Sequence, residues 1–98
     1  MELEVAAKAF KELGHPTRLS IFKILVKSGH DGLPVGTLAK ELSMPNSTLT
    51  HHISGLVQAG LVEQKRDGRI LYCIPQFSML EDMVAYLNDE CCINASQP

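Results

Sequence analysis

A mostly helical α+β domain, in the order α-α-α-α-β-β-α, is the fold class that this 98-residue chain predicts. Three observations carry that expectation. Apolar residues recur at three- and four-residue spacing through most of residues 2–58. The stretch LVEQKRDGRILYCI then changes to strand composition around Asp67-Gly68, a strong hairpin signal because glycine tolerates positive φ. Beyond it, QFSMLEDMVAYLNDECC returns to a helical pattern.

The elements follow in order. Leu3, Ala6, Ala7, Phe10 and Leu13 share a face of a first helix over residues 2–13, with Gly14 as its stop. The string HPTRLSIFKILVKSG restarts a helix with Pro16 in its first turn and Gly29 past its end; its Leu19, Phe22, Leu25 and Val26 are expected to point inward. VGTLAKEL after Pro34 reads as a short third helix, and Ser43 to Asn46 as a tight turn. The fourth helix, Asn46 to Ala59, puts Leu49, Ile53, Leu56 and Val57 on one face and Ser47, His51, Ser54 and Gln58 on the other. LVEQK and RILYCI are the expected strands, and the closing helix is expected to run to the cysteine pair.

The fourth helix and its hairpin carry the functional signal. A solvent face is usually rich in Glu and Lys, whereas this one offers hydroxyls, an imidazole and an amide, a set suited to a nucleic-acid groove. Lys65, Arg66 and Arg69 place cations at the hairpin tip, within reach of phosphate. The net charge of -2 does not argue against this, because its distribution is uneven. Residues 1–69 hold all nine Lys and Arg against seven acids, a surplus of two, while Glu81, Asp82, Asp89 and Glu90 make the remainder acidic. The acidic end is expected to face away from a polyanion.

Length and composition exclude other classes. A chain of 98 residues makes one domain that buries roughly 60–70% of its surface, near the lower limit for a self-sufficient core. No apolar run suits a membrane span, and MELEVAAKAF lacks the layout of a signal peptide, so a cytoplasmic protein is expected. Three cysteines, Cys73, Cys91 and Cys92, are too few and too clustered for a disulfide framework. No nucleophile, base and oxyanion donor group together, so an enzyme is not expected. Residues 1–92 form the expected folded unit and residues 93–98 a flexible tail.

The pattern HPTRLSIFKIL followed by LAKELSMPNSTLTHHISGLVQAGLVEQKRDGRILY resembles the ArsR/SmtB family of bacterial winged-helix repressors. Its most specific pieces are Thr50-His51-His52-Ile53, Ala59-Gly60-Leu61-Val62 and Asp67-Gly68-Arg69. The resemblance implies a homodimer, joined through its first and last helices, that binds inverted-repeat operator DNA and releases it on binding a metal or metalloid. It makes the fourth helix the recognition helix, with Ser47, Thr48, Thr50 and His51 nearest the DNA, Ser54 and Gln58 on the same face, and Lys65, Arg66 and Arg69 on the flanking backbone. His52 lies at the border of the buried face and is given a structural role, and His15 and His30 have no partner at ligand spacing.

Two of the family's inducer sites lack their ligands in this chain. Members that sense metal on the third helix carry cysteines there, and Leu33 to Leu38 has none; members that bind zinc between last helices need a histidine that this helix lacks. What it has is Cys91-Cys92, which resembles the arsenical repressors with a C-terminal cysteine pair. Leu80, Met83, Val84, Leu87 and Cys91 share one stripe, and the alternative is that Cys91 is an apolar filler, against which the adjacency of the two thiols argues. Neighbouring thiolates otherwise suit a soft centre, and the implied inducer is trivalent arsenic, as arsenite or methylarsenite, with antimonite as a relative. Arsenite prefers three sulfurs, and Ile93-Asn94-Ala95-Ser96 supplies no third. Cys73 is a candidate third ligand, but it shares a strand face with Leu71 and reads rather as core. No permanent cofactor is expected. The same dithiol could instead sense oxidants or persulfides, and a winged helix that binds protein rather than DNA is a further alternative.

Overall fold

The computed structural model describes residues 1–95 and contains α1 (Leu3–Leu13), α2 (Pro16–Ser28), β1 (Leu33–Pro34), α3 (Val35–Leu42), α4 (Asn46–Gln58), β2 (Val62–Asp67), β3 (Ile70–Pro75) and α5 (Phe77–Asn88). The order is the expected one with a short strand added before α3. Residues 96–98, the end of the expected flexible tail, lie outside the described residues.

The core gathers on α2 and α4. Ile21, Phe22 and Leu25 of α2 meet Leu49, Ile53 and Leu56 of α4, and Ala9, Leu38, Leu61, Val62, Cys73 and Met83 complete the buried cluster. Truncating a leucine here to alanine costs about 2–5 kcal/mol. Two expected inward residues face out: Leu19 is 47% exposed and Val57 36% exposed. In α2 the cause is that apolar residues run almost all round the helix, so periodicity alone does not choose the buried side. Leu3 and Ala7 of α1 are also exposed, and Ala6 and Ala9 take the buried positions.

The two helices of the helix-turn-helix end alike. The Ser43 N–H bonds to the Lys40 carbonyl and the Met44 N–H to the Ala39 carbonyl, with Ser43 left-handed at φ 50. At the end of α4, Gly60 bonds to Val57 and Leu61 to Leu56 in the same pattern, with Gly60 at φ 79. Both are Schellman motifs, and buried Leu56 and Leu61 supply the apolar clasp of the second. The turn angle between α3 and α4 is therefore set by hydrogen-bonded backbone rather than by a loose loop.

The sheet is antiparallel in the order β1-β3-β2. Leu33 pairs with Cys73 and Pro34 with Tyr72, which ties the start of α3 to the root of the hairpin. Gly32 permits this approach: its φ is +71, and a Cβ there would overlap the Cys73 carbonyl. The hairpin register places Asp67 opposite Ile70, so the two-residue loop is Gly68-Arg69, one residue later than expected. Gly68 alone of the two has positive φ, at 63, which is the II′ arrangement with glycine first.

The last helix stops at Asn88, short of the expected end at Cys92. Asn88, Asp89 and Glu90 are poor residues for its final turn, because carboxylates oppose the negative end of the helix dipole and no basic residue balances them. No helix among the described residues is long and apolar enough to cross a membrane.

Candidate nucleic-acid interface

The backbone devices just described leave one face of α4 open. Ser47, Thr48, Thr50, His51, Ser54 and Gln58 are all exposed, while Leu49, Ile53 and Leu56 anchor the opposite side. All six residues expected to face DNA thus lie on the solvent side of one helix. Their chemistry is mixed donor and acceptor, as base-edge and phosphate contacts require.

The wing carries the cations. Lys65, Arg66 and Arg69 are exposed, and the ion pair found among the described residues is Glu12–Arg18, so these three keep their charge free of a carboxylate partner there. They are not equivalent. Lys65 lies opposite Tyr72 and Arg66 opposite Leu71, which puts them on opposite faces of the ribbon, with Arg69 in the turn between. His30, Asp31, Tyr72 and Ile74 join Lys65, Arg66 and Asp67 around a depression beside the wing.

The histidines have definite surroundings. His15 caps α2, its Nδ1 accepting from the Thr17 N–H at 3.1 Å, and its ring lies 4.7 Å from that of His52. Burial above all, then the charges of His15, Arg18 and His51, hold His52 below the ordinary imidazole pKa. His52 is half-buried between α2 and α4, as a structural residue would be, and His30 packs edge-on against Phe77. The cap at His15 was missed in the sequence, although a side-chain acceptor directly before a helix-starting proline is its signal.

The cysteines divide. Cys73 is fully buried on β3, its sulfur 3.8 Å from the Gln64 amide nitrogen, and burial pushes its thiol pKa up. Cys91 and Cys92 are exposed, with their sulfurs 3.3 Å apart and both thiols free. They sit in successive turns past α5, closed by hydrogen bonds from Cys91 to Asn88, Ile93 to Glu90 and Ala95 to Cys92, with Glu90 and Cys92 left-handed. Cys91 is therefore not a filler within the protomer's core. Among the described residues no three His, Cys, Asp or Glu side chains come together as a metal-holding group.

Comparison with known proteins agrees with this geometry. A family model described as a helix-turn-helix domain matches residues 13–65, from the end of α1 into the wing. The uncharacterized HTH-type transcriptional regulator MJ1325 of Methanocaldococcus jannaschii is 40% identical over 65 residues, covering 66% of this chain and 71% of the relative. The transcriptional repressor PagR of Bacillus anthracis is 30% identical over 88 residues, covering 90% and 86%. The chain belongs to the helix-turn-helix transcriptional regulators, and its fold is the winged one of ArsR-type proteins. It is a regulator and not an enzyme. An ArsR family regulator, RHA00566, superposes with TM-score 0.82 at 23% identity, covering 100% of this chain and 98% of that one. A possible transcriptional regulator for arsenical resistance gives TM-score 0.73 at 25% identity, covering 92% and 98%. The homodimeric winged helix-turn-helix domain Mb0332 of Mycobacterium bovis gives TM-score 0.72 at 24% identity, covering 98% and 89%. For this regulator α3 and α4 are the helix-turn-helix of a DNA-binding domain, and the hairpin is the wing of the fold.

Proposed function

We propose that this regulator is a metalloid-responsive repressor: a homodimer that holds an inverted-repeat operator until trivalent arsenic binds Cys91 and Cys92. The observation that carries the reading is the pair of exposed thiols 3.3 Å apart beside the end of α5. Two thiols this close, once deprotonated, suit a single soft, thiophilic centre rather than a hard cation. Each sulfur would replace one hydroxide on arsenic, its proton leaving with that hydroxide as water. Methylarsenite, with two hydroxides, needs no third protein ligand, and arsenite would keep one hydroxide.

Dimer formation is supported by an uncovered apolar surface on the first and last helices. Leu3 is 64% and Val5 43% exposed on α1, and Val84 is 53% and Leu87 68% exposed on α5. Helices α1 and α5 touch one another, so a second copy could cover both. Two recognition helices would then enter successive major grooves with half-sites about 10 bp apart, wings on the flanking backbone. A ligand that reshapes the turns after α5 would bear on that interface, and a coupling of about 1–3 kcal/mol would weaken operator binding roughly 5- to 150-fold.

Native mass spectrometry with methylarsenite tests the site. One adduct per protomer is expected for wild type and Cys73→Ser, and none for Cys91→Ser or Cys92→Ser. Adducts that persist without either exposed thiol would place the ligand elsewhere.

A further inference from the structure

Glu12 at the end of α1, Arg18 in α2 and Gly55 in the middle of α4 meet at one point. The Arg18 Nε donates to the Glu12 main-chain carbonyl and lies 3.6 Å from its Oε2, with the two side chains 17% and 20% exposed. The Glu12 carboxylate occupies the space over Gly55, where a Cβ would overlap Oε2, and the Arg18 Cδ lies beside it. Arg18 Nη1 also reaches His52 Nδ1 at 3.4 Å; a guanidinium only donates, so that nitrogen accepts. Two side chains from α1 and α2 therefore hold α4 at residues 52 and 55, next to the face that presents His51 and Ser54.

We propose that Glu12 and Arg18 are positioning residues for the recognition helix, carrying the placement of α1 to α4 and fixing the angle at which Ser47, His51 and Ser54 meet DNA. Apolar packing is non-directional and leaves a helix some freedom to roll. The Glu12 carboxylate, paired with Arg18, packs over Gly55, and a Cβ there would displace it from that place. The apolar residues of α1 are those that a second copy would cover, so this contact links the dimer interface to the reading face. The inference rests on the dimeric, operator-reading function proposed above.

The test starts from a duplex that wild type selects out of a randomised library. Gly55→Ala, Glu12→Ala, the double variant and Glu12→Gln are compared for binding to that duplex and to a scrambled one, with melting temperature and sedimentation alongside. Gly55→Ala should cost about tenfold in preference without lowering the melting temperature, since alanine is the better helix former. Glu12→Ala should cost about the same, and the double variant no more than either, because one contact is lost in all three. Glu12→Gln, which keeps the shape over Gly55, should retain most of the preference. If Glu12→Ala leaves preference intact, or if the two single effects multiply in the double variant, the positioning role is wrong; Glu12→Ala decides the point even if Gly55→Ala fails to fold. Wild type that selects no duplex, or sediments as a monomer, would instead overturn the operator-reading dimer.

Discussion

Arg69→Ala should change how binding responds to salt more than it changes sequence preference. Arg69 sits at the second position of the wing turn, exposed and without a carboxylate partner among the described residues. A dimer loses two such cations. Each phosphate contact contributes about 0.9 to the slope of log affinity against log salt, so the slope should fall in magnitude by about 1.8. Between about 50 and 200 mM salt, wild-type affinity should then drop roughly twelvefold further than that of the variant. Fluorescence anisotropy at four salt concentrations, on a selected and a scrambled duplex, measures this directly. The weakening should be parallel on the two duplexes, because phosphate carries no sequence information. An unchanged slope would mean that the wing tip does not touch the backbone, and a loss confined to the selected duplex would mean that Arg69 reads bases. Lys65 and Arg66, on opposite ribbon faces, should have unequal slopes when replaced singly.

His51→Ala should lower discrimination between operator and mismatched duplexes by about 1–3 kcal/mol in competition gel-shifts while leaving the salt slope unchanged; intact discrimination would refute the helix register. Ser43→Gly should raise the melting temperature by several degrees, since Ser43 holds a left-handed conformation that costs an L-residue about 1 kcal/mol and glycine little. His52 resists protonation when folded, so the unfolded chain binds the extra proton as pH falls below about 6.5. Its contribution to stability is therefore complete above that pH and declines towards the lowered folded value, and His52→Gln should flatten this part of a melting profile taken from pH 8 to about 5.

Much of the fold was legible because it is written in local signals. Pro16 and Gly29 bracket α2, Gly60 closes α4, and Leu49, Ile53 and Leu56 mark the buried side at helical spacing. The exposed face of α4 followed from the same periodicity, by subtraction. What was not legible is non-local or degenerate. The strand Leu33–Pro34 exists only because β3 pairs with it from forty residues downstream, and two residues carry no alternation of their own. Asp-Gly announces a hairpin without deciding whether glycine stands first or second in the loop; the pairing of Asp67 with Ile70 decides it. The stripe Leu80, Met83, Val84, Leu87 and Cys91 suggested a longer α5, but the acidic residues at its end outweigh the spacing. The Glu12–Arg18–Gly55 contact joins three helices and has no sequence pattern at all.

The claim at the centre of the account is that occupation of Cys91 and Cys92 releases DNA. Anisotropy of a labelled operator, titrated with methylarsenite, arsenite, antimonite, cadmium and peroxide, tests it for wild type and for Cys73→Ser, Cys91→Ser and Cys92→Ser. The trivalent arsenicals should release wild type and Cys73→Ser and leave the Cys91→Ser and Cys92→Ser complexes bound. Release by arsenicals that survives loss of both Cys91 and Cys92 would contradict the account, and release by peroxide alone would make the pair a redox sensor instead.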